Sequence, residues 1–354
     1  MTHWEMQVRA RDRVPTINDV ADQAGVSKRT VSRVINNSDK VNEQTRLKVQ
    51  AVIDKLNYSP SSQARGLAAS RSFLLGLIYD VPTLFVNDVQ RGLLSVCHDE
   101  GYDIVVHPCE FGSEHLLNDV RRFVNRVKVD GVIMLPPVSE IHELGELLDD
   151  IGVPYVRFSS ELSKQPWRLV VTDYELAVTE MTDHLVELGH RAIGFISGPK
   201  KNISSQKRQE AFVNALARHG LELDDEFVVE GAFTYESGTR AAEELLSKKV
   251  RPTAIFAAND EMAFGVMNVA NAKGIVVPDD LSVVGFDGTA FATFVIPSLS
   301  TICRPTREMA SLAARKLLAI INEGEDAARA FESMVSPQFV PRESTGPAPT
   351  ESGS

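Results

Sequence analysis

Cysteine is scarce: Cys97, Cys109 and Cys303 are all that 354 residues hold, and no pair has CxxC spacing. That excludes a disulfide framework. No stretch approaches the ~18 consecutive apolar residues that a membrane helix needs, so no membrane partner is expected. The opening residues carry Arg9, Arg11 and Arg13 without an apolar core, so no secretory signal is expected and a cytoplasmic chain follows. Catalytic signatures are missing as well. Gly194-Phe-Ile-Ser-Gly198 puts its serine one place too late for GxSxG, and His142-Glu143 lacks the second histidine of HExxH. No P-loop lysine follows a glycine run, and the eight histidines are scattered. No catalysis, metal or cofactor is expected.

What remains is ordinary globular material, 43% hydrophobic and 24% charged, of a length that fits about two to three domains. The net charge of −11, taken whole, argues against nucleic acid, but it is unevenly spread. Residues 1–71 hold 12 Lys and Arg against 7 Asp and Glu, a charge of +5; the rest holds 25 against 41, a charge of −16. A basic head on an acidic body points to a polyanion-binding module joined to something that is not one.

The head reads as a helix-turn-helix. Thr16 is a suitable N-cap, with Asp19 three residues on at the positive end of the helix. Ile17, Val20, Ala21 and Ala24 fall at i, i+3, i+4 and i+7, one apolar stripe, and Gly25 can end the helix. Ser27 caps a second helix with Val31, Val34 and Ile35 inward; 36–39 (NNSD) is a loop. A third helix is expected over 42–56, with Leu47, Val49, Val52, Ile53 and Leu56 available for the core. Three short helices could be a plain bundle. Lys28, Arg29, Thr30, Ser32 and Arg33, however, crowd the first turns of the second, where burial would be costly. Long donors at a helix N-terminus are what reading the major groove requires.

The run from Thr16 to Asn36 (TINDVADQAGVSKRTVSRVIN) resembles the opening of LacI/GalR-family transcription regulators, as do 57–60 (NYSP), 64–68 (ARGLA) and 71–72 (RS). The resemblance extends to about residue 340. It implies that Lys28, Arg29 and Arg33 read bases, and that Thr16, Ser27, Thr30, Ser32 and Asn36 hold phosphates of double-stranded operator DNA. By residue type, 61–69 is a small-residue connector; the resemblance makes it a hinge helix that forms on DNA. There Leu67 would wedge into the minor groove, with Ala64 one turn before it. Gly66 lowers helix propensity by roughly 1 kcal/mol relative to Ala, as suits a helix absent until bound.

Beyond Ser72, apolar runs and helical patterns alternate. Strands are expected over 73–79, 103–107, 131–135, 154–158, 192–197, 228–230, 254–258 and 281–285. Helices are expected over 87–100, 116–125, 175–188, 204–219, from 235, and over 261–272. Continuous apolar strands mean parallel sheet covered on both faces, and ligands gather at the carboxyl ends of such strands. The resemblance implies the type I periplasmic-binding-protein fold, two parallel-sheet subdomains around a cleft; 188–199 (LGHRAIGFISGP), 258–263 (ANDEMA) and 284–287 (VGFD) support it. The expected organisation is thus a disordered basic arm over 1–14, an all-α helix-turn-helix domain over 15–60, a hinge over 61–71, an α/β effector-binding and dimerisation body over 72–342 and a disordered tail over 343–354. The tail has no leucine heptad, so the chain is expected to be a homodimer on a roughly palindromic operator.

For the effector, the resemblance implies that Arg208 clamps ligand oxygens, that Phe233 stacks on the ligand and that Asn259 and Asp287 bond hydroxyls, with Asp260 beside them. Asn and Asp at strand ends are also ordinary turn residues. Tyr79, Asp80 and Phe85 are candidates for the opposite wall. Where many members carry an aspartate five residues after the proline of the fourth strand, this chain has Ser159, with Arg157 nearby. That departure favours an oligosaccharide or an acidic sugar over a plain monosaccharide. The expectation is a transcriptional repressor controlled by a carbohydrate-like effector; the alternatives are a purine or phosphoprotein co-repressor, or an activator. A periplasmic sugar-binding protein would need a signal peptide and no helix-turn-helix. An α/β enzyme would need a nucleophile or metal set in the cleft.

Overall fold

The computed structural model describes residues 15–35, 38–58, 71–162 and 164–349. The arm over 1–14, Asn36, the hinge with Ala64 and Leu67, and 350–354 lie outside the described residues. The chain divides into two units, 1–72 and 73–354.

The first unit has three helices. Helix α1 (Ile17–Ala24) opens at Thr16, whose N and Oγ1 donate to Asp19 Oδ2 at 2.7 and 2.6 Å. Gly25, at φ +63°, ends it in the left-handed conformation that glycine adopts without strain. Helix α2 (Lys28–Ile35) starts at Ser27, whose Oγ accepts from Thr30 N at 3.2 Å. Helix α3 (Glu43–Leu56) is capped by Asn42, whose Oδ1 accepts from Thr45 N at 2.8 Å. Val20, Ala24, Val31, Val34 and Val49 form the core. Leu47, expected inside, is 63% exposed. Two residues apart on a helix is about 200° of rotation, so Leu47 and Val49 cannot both face inward.

The second unit has two lobes. Its first lobe is built from β1 (Leu74–Tyr79), α4 (Leu84–Cys97), β2 (Asp103–Pro108), α5 (Leu116–Val127), β3 (Gly131–Met134), α6 (His142–Asp150), β4 (Tyr155–Ser159) and β5 (Leu169–Thr172). The second lobe follows with α7 (Glu175–Glu187), β6 (Ile193–Ser197), α8 (Ile203–Arg218), β7 (Val228–Glu230), α9 (Tyr235–Leu246), β8 (Ala254–Ala257), α10 (Asp260–Ala272), β9 (Ser282–Asp287) and β10 (Ser300–Cys303). The chain then returns to the first lobe with α11 (Thr306–Glu323), α12 (Glu325–Ala328) and β11 (Met334–Val335), and ends in the second with β12 (Gln338–Val340).

The strand orders are β11-β5-β4-β3-β1-β2 and β12-β10-β9-β8-β6-β7, parallel throughout except for β12 against β10. Three crossovers therefore join the lobes: after β5, after β10 and between β11 and β12. Strands such as Ile193–Ser197 and Ala254–Ala257 are buried along their whole length, as sheets covered on both faces require. Each lobe has its own core. In the second, the rings of Phe195, Phe212 and Phe256 meet at centroid distances of 5.3 to 5.5 Å. Helix α11 packs closely on α4 at Gly92, where an added Cβ would stand 2.7 Å from Ala310 Cβ and 2.9 Å from Arg307 Cα.

One expected boundary is corrected. Residues 343–349, read as disordered from their Ser/Thr/Gly/Pro composition, are packed on the second lobe. Ser344 is fully buried, Val283 N donates to its carbonyl at 2.8 Å, and its own N donates to Ser298 O at 2.9 Å. His190, also fully buried, bridges Thr253 Oγ1 at 2.9 Å and Gly346 O at 3.1 Å.

Candidate functional site

In the first unit, α2 presents Ser27, Lys28 and Arg29 to solvent around its N-terminus, while Val31 and Val34 face the core. Arg29 and Arg33 are four residues apart and so share a face, with Arg33 half-buried. The Thr16 hydroxyl donates to Asp19 Oδ2, while Ser27 Oγ accepts from Thr30 N as a helix cap and also lies 2.9 Å from Thr30 Oγ1. This end of the helix carries the positive end of the macrodipole together with two exposed cations, an arrangement that suits a phosphate backbone. Thr30 and Ser32 are half-buried on the same turn.

In the second unit, a cavity of about 220 Å³ lies between the lobes at the carboxyl ends of both sheets. Asp80, Phe85, Phe111 and Pro136 form part of one wall; Asn202, Arg208, Phe233, Asn259, Asp287 and Arg304 form much of the other, with Tyr174 at the first crossover. Arg208 is buried on α8. Its Nη1 donates to Ala258 O, and its guanidinium carbon stands 3.9 Å from the centroid of the Phe286 ring. Burial presses its pKa below the ordinary value, with Tyr174 and Asp287 working against that pressure. Arg304 Nη2 donates to Asp287 Oδ1 at 2.6 Å, and its guanidinium lies 4.0 Å over Phe85. Arg208 Nη2 is 4.0 Å from the same carboxylate oxygen.

One carboxylate thus sits between two arginines. Asp287 holds this place at φ +114°, a backbone region that non-glycine residues rarely occupy. The Nε atoms of Arg208 and Arg304 are buried with no hydrogen-bond partner among the described residues. A buried donor left unpaired costs about 1–3 kcal/mol, which a ligand acceptor would recover. Phe233 has φ +60°, and Asn259 Nδ2 donates to its carbonyl at 2.8 Å while Asn259 Oδ1 accepts from Met262 N at 3.0 Å. Asn259 therefore both caps α10 and fixes the aromatic wall. Gly198 lies under that ring: a Cβ there would fall 2.6 Å from Phe233 Cε1.

Sequence comparison gives the lineage. A family described as "Bacterial regulatory proteins, lacI family" matches residues 16–61, and a "Periplasmic binding protein-like domain" matches 182–345. The chain is 36% identical to catabolite control protein A of Priestia megaterium, over 87% of this chain and 93% of that protein. The chain belongs to the LacI family. Among solved structures it resembles the Lac repressor dimer bound to operator and the anti-inducer ONPF, with TM-score 0.76, 28% identity, and coverage of 94% of this chain and 100% of the other. It also resembles the transcriptional regulator CelR in complex with cellobiose, with TM-score 0.66, 30% identity, and coverage of 93% and 99%. As a LacI-family member the chain is a DNA-binding transcriptional repressor and not an enzyme.

Within this LacI-family body, Arg208, Phe233, Asn259 and Asp287 meet at one cavity, with Asp80 and Phe85 across from them. Tyr79 and Ser159 do not join them, which corrects both. Neighbouring strand residues face opposite sides, so Tyr79 packs into the first lobe's core, 6% exposed, while Asp80 reaches the cavity. Ser159 makes a local turn, its Oγ donating to Glu161 O at 2.8 Å and accepting from Glu161 N at 3.1 Å. Arg157 points to Ser139 O at 3.4 Å. Asp260 is fully buried and holds the β9–β10 loop, accepting from Thr289 N at 2.7 Å and Thr301 Oγ1 at 2.6 Å. Burial, then Asp287, pushes its pKa up to about 7. Sequence reasoning missed Arg304, Tyr174, Asn202 and Phe111. The signal for Arg304 was its place just past an apolar strand, in Cys303-Arg304-Pro305.

Proposed function

We propose that this repressor is a cytoplasmic homodimer whose affinity for a roughly palindromic operator is set by a small carbohydrate-like effector bound between the lobes. One observation carries the effector reading: two buried arginines, each stacked on a ring and each with an unpaired Nε, line a cavity that also presents Phe233 and Asn259. Planar forks of donors beside apolar ring faces fit the alternating polar edges and apolar faces of a sugar. CelR, similar over most of its length, is known in complex with cellobiose. Ser159, out of reach of the cavity, leaves Arg208, Asp287 and Arg304 to do the polar recognition, and that set favours an oligosaccharide or an acidic sugar.

For the dimer, the support is an exposed apolar patch in the β9–β10 segment: Phe291 is 52% exposed, Phe294 73% and Ile296 95%. On the DNA side, Lys28, Arg29 and Arg33 read bases, Thr16, Ser27, Thr30, Ser32 and Asn36 hold phosphates, and Leu67 with Ala64 enters the minor groove. Two such heads related by a two-fold axis require a palindrome. Effector binding shifts the lobes and the spacing of the hinges; a coupling of about 1–3 kcal/mol gives a 5–150-fold change in operator affinity. The test is a thermal-shift screen of the full chain against mono- and oligosaccharides, sugar acids and purines. A ligand at a hundred times its Kd adds about 2.7 kcal/mol, a visible shift. A sugar or sugar-acid hit lost in Arg208→Ala supports the reading; a purine hit, or none, overturns the carbohydrate assignment.

A further inference from the structure

Two glutamates cross the cleft in opposite directions. Glu140 ends the 3-10 turn Val138–Glu140 in the first lobe, and its Oε2 accepts from Ile203 N, the first residue of α8 in the second lobe, at 3.0 Å. Glu261 lies on α10 in the second lobe, and its Oε1 accepts from Leu84 N, the first residue of α4 in the first lobe, at 2.7 Å. First-turn N–H groups have no partner inside their own helix, and a carboxylate is the favoured acceptor there. Thr83, the N-cap of α4, makes no side-chain cap bond, so Glu261 supplies what the local sequence does not. These two helices also carry cavity residues: Phe85 and Val86 on α4, Ser204 and Arg208 on α8.

We propose that Glu140 and Glu261 are reciprocal latches, positioning residues that hold the two lobes closed and so set Arg208 and Phe85 against each other across the cavity. The use of that cavity by an effector is the reading given above, but the latches themselves need no ligand. Their titration follows from their surroundings. Glu140 faces the N–H groups of Ile203 and Ser204 and the Arg208 cation, which favour its charge, and Glu161, which opposes it; burial dominates and pushes its pKa up to about 7. Its second oxygen, Oε1, is buried with no partner among the described residues, a place for the proton. Glu261 faces Leu84 N, which favours its charge, and Asp287 and Glu236, which oppose it; burial and these two carboxylates raise its pKa as well. In an open cleft both carboxyls return to water and ordinary values. Closing therefore takes up protons, and falling pH favours the closed form between the ordinary glutamate range and about 7.

Hydrogen exchange of the full chain without ligand tests this, reading the peptides that begin α4 and α8 from pH 5.5 to 8.5, each rate divided by the intrinsic rate at that pH. Wild-type protection should rise as pH falls below about 7, by at most ~tenfold per pH unit for one proton. Glu140→Gln keeps an acceptor oxygen without charge, so its protection should be high at pH 8 and its profile in the α8 peptide shallower than wild type, the remaining slope belonging to Glu261. Glu140→Ala should lower protection about tenfold in both peptides, because loss of either latch opens the same cleft. Loss confined to α8, or a Gln profile that follows wild type, would overturn the proposal and reduce Glu140 to a local cap. Should the Ala variant fail to fold by circular dichroism, the Gln profile alone decides. No effector enters this measurement, so failure of the effector screen leaves its result intact.

Discussion

Arg304→Ala isolates the charge arrangement of the cavity. Asp287 and Arg304 side chains are 8% and 6% exposed, so removing the cation strands a carboxylate that water hardly reaches. Removing one partner of a buried pair costs about 3–5 kcal/mol. Arg208 remains 4.0 Å from Asp287 and retains part of the compensation, which puts the loss near the lower end. The stack on Phe85, 4.0 Å away, goes too, adding roughly 0.5–1 kcal/mol. Three to four kcal/mol in a body of about 280 residues, at ~2.1 cal/mol/K per residue, is about 5–7 °C of melting temperature. The assay is denaturation of the full chain, following the body's transition, for Arg304→Ala, and for a cycle of Arg304→Met, Asp287→Asn and the two together. Neutralising both strands neither member of the Asp287–Arg304 pair, with Arg208 the one cation that loses its carboxylate neighbour, so the double variant should be about 1–2 kcal/mol more stable than the sum of the singles predicts. An Arg304→Ala loss below about 1 kcal/mol, or strict additivity in the cycle, would refute the reasoning.

In the head, Arg29→Ala should cost about 1–3 kcal/mol of operator affinity and relax preference at one base position, read by binding to a randomised-site library. Leu67→Ala should leave the melting curve in place and weaken operator binding; unchanged affinity sinks the wedge. In the body, Gly92→Ala should push α4 off α11, with a loss of about 1–3 kcal/mol in melting experiments, because the new methyl meets Ala310 and the Arg307 backbone. Asp260, whose pKa is raised to about 7 in the fold, binds its proton more tightly folded than unfolded. Its contribution to stability therefore falls as pH rises from the ordinary aspartate range to about 7, and Asp260→Asn should lose that slope; a wild-type minus variant difference constant from pH 5 to 8 would contradict it.

Local chemistry made much of this legible. Caps and turns are short-range, so Thr16, Asp19, Gly25 and Ser27 announced the first two helices, and the continuously apolar strands announced parallel sheet. Arg208, Phe233, Asn259 and Asp287 were findable because the family resemblance attaches roles to strand ends. What failed depends on contacts between distant segments. Arg304 reaches the cavity only because the chain crosses lobes after β10, and Tyr174 only because it crosses after β5. No helix is marked over Thr306–Glu323 in the sequence pattern; its buried residues run about 200° round the axis, from Lys316 and Met309 through Ala310 and Ala314 to Leu318, wider than a single apolar stripe. Composition misread 343–349, since Ser344 and Gly346 gain their order from Val283, Ser298 and His190 rather than from their own propensities.

Control of DNA binding by the inter-lobe cavity can be measured directly. Operator affinity of the full chain, on a site selected from random DNA, is to be titrated with the ligand that stabilises it most in the screen, for wild type and Arg208→Ala. Wild-type affinity should change 5–150-fold with ligand, and Arg208→Ala should keep a basal affinity close to wild type but indifferent to that ligand. A wild-type affinity unmoved while the ligand saturates the cavity would contradict it.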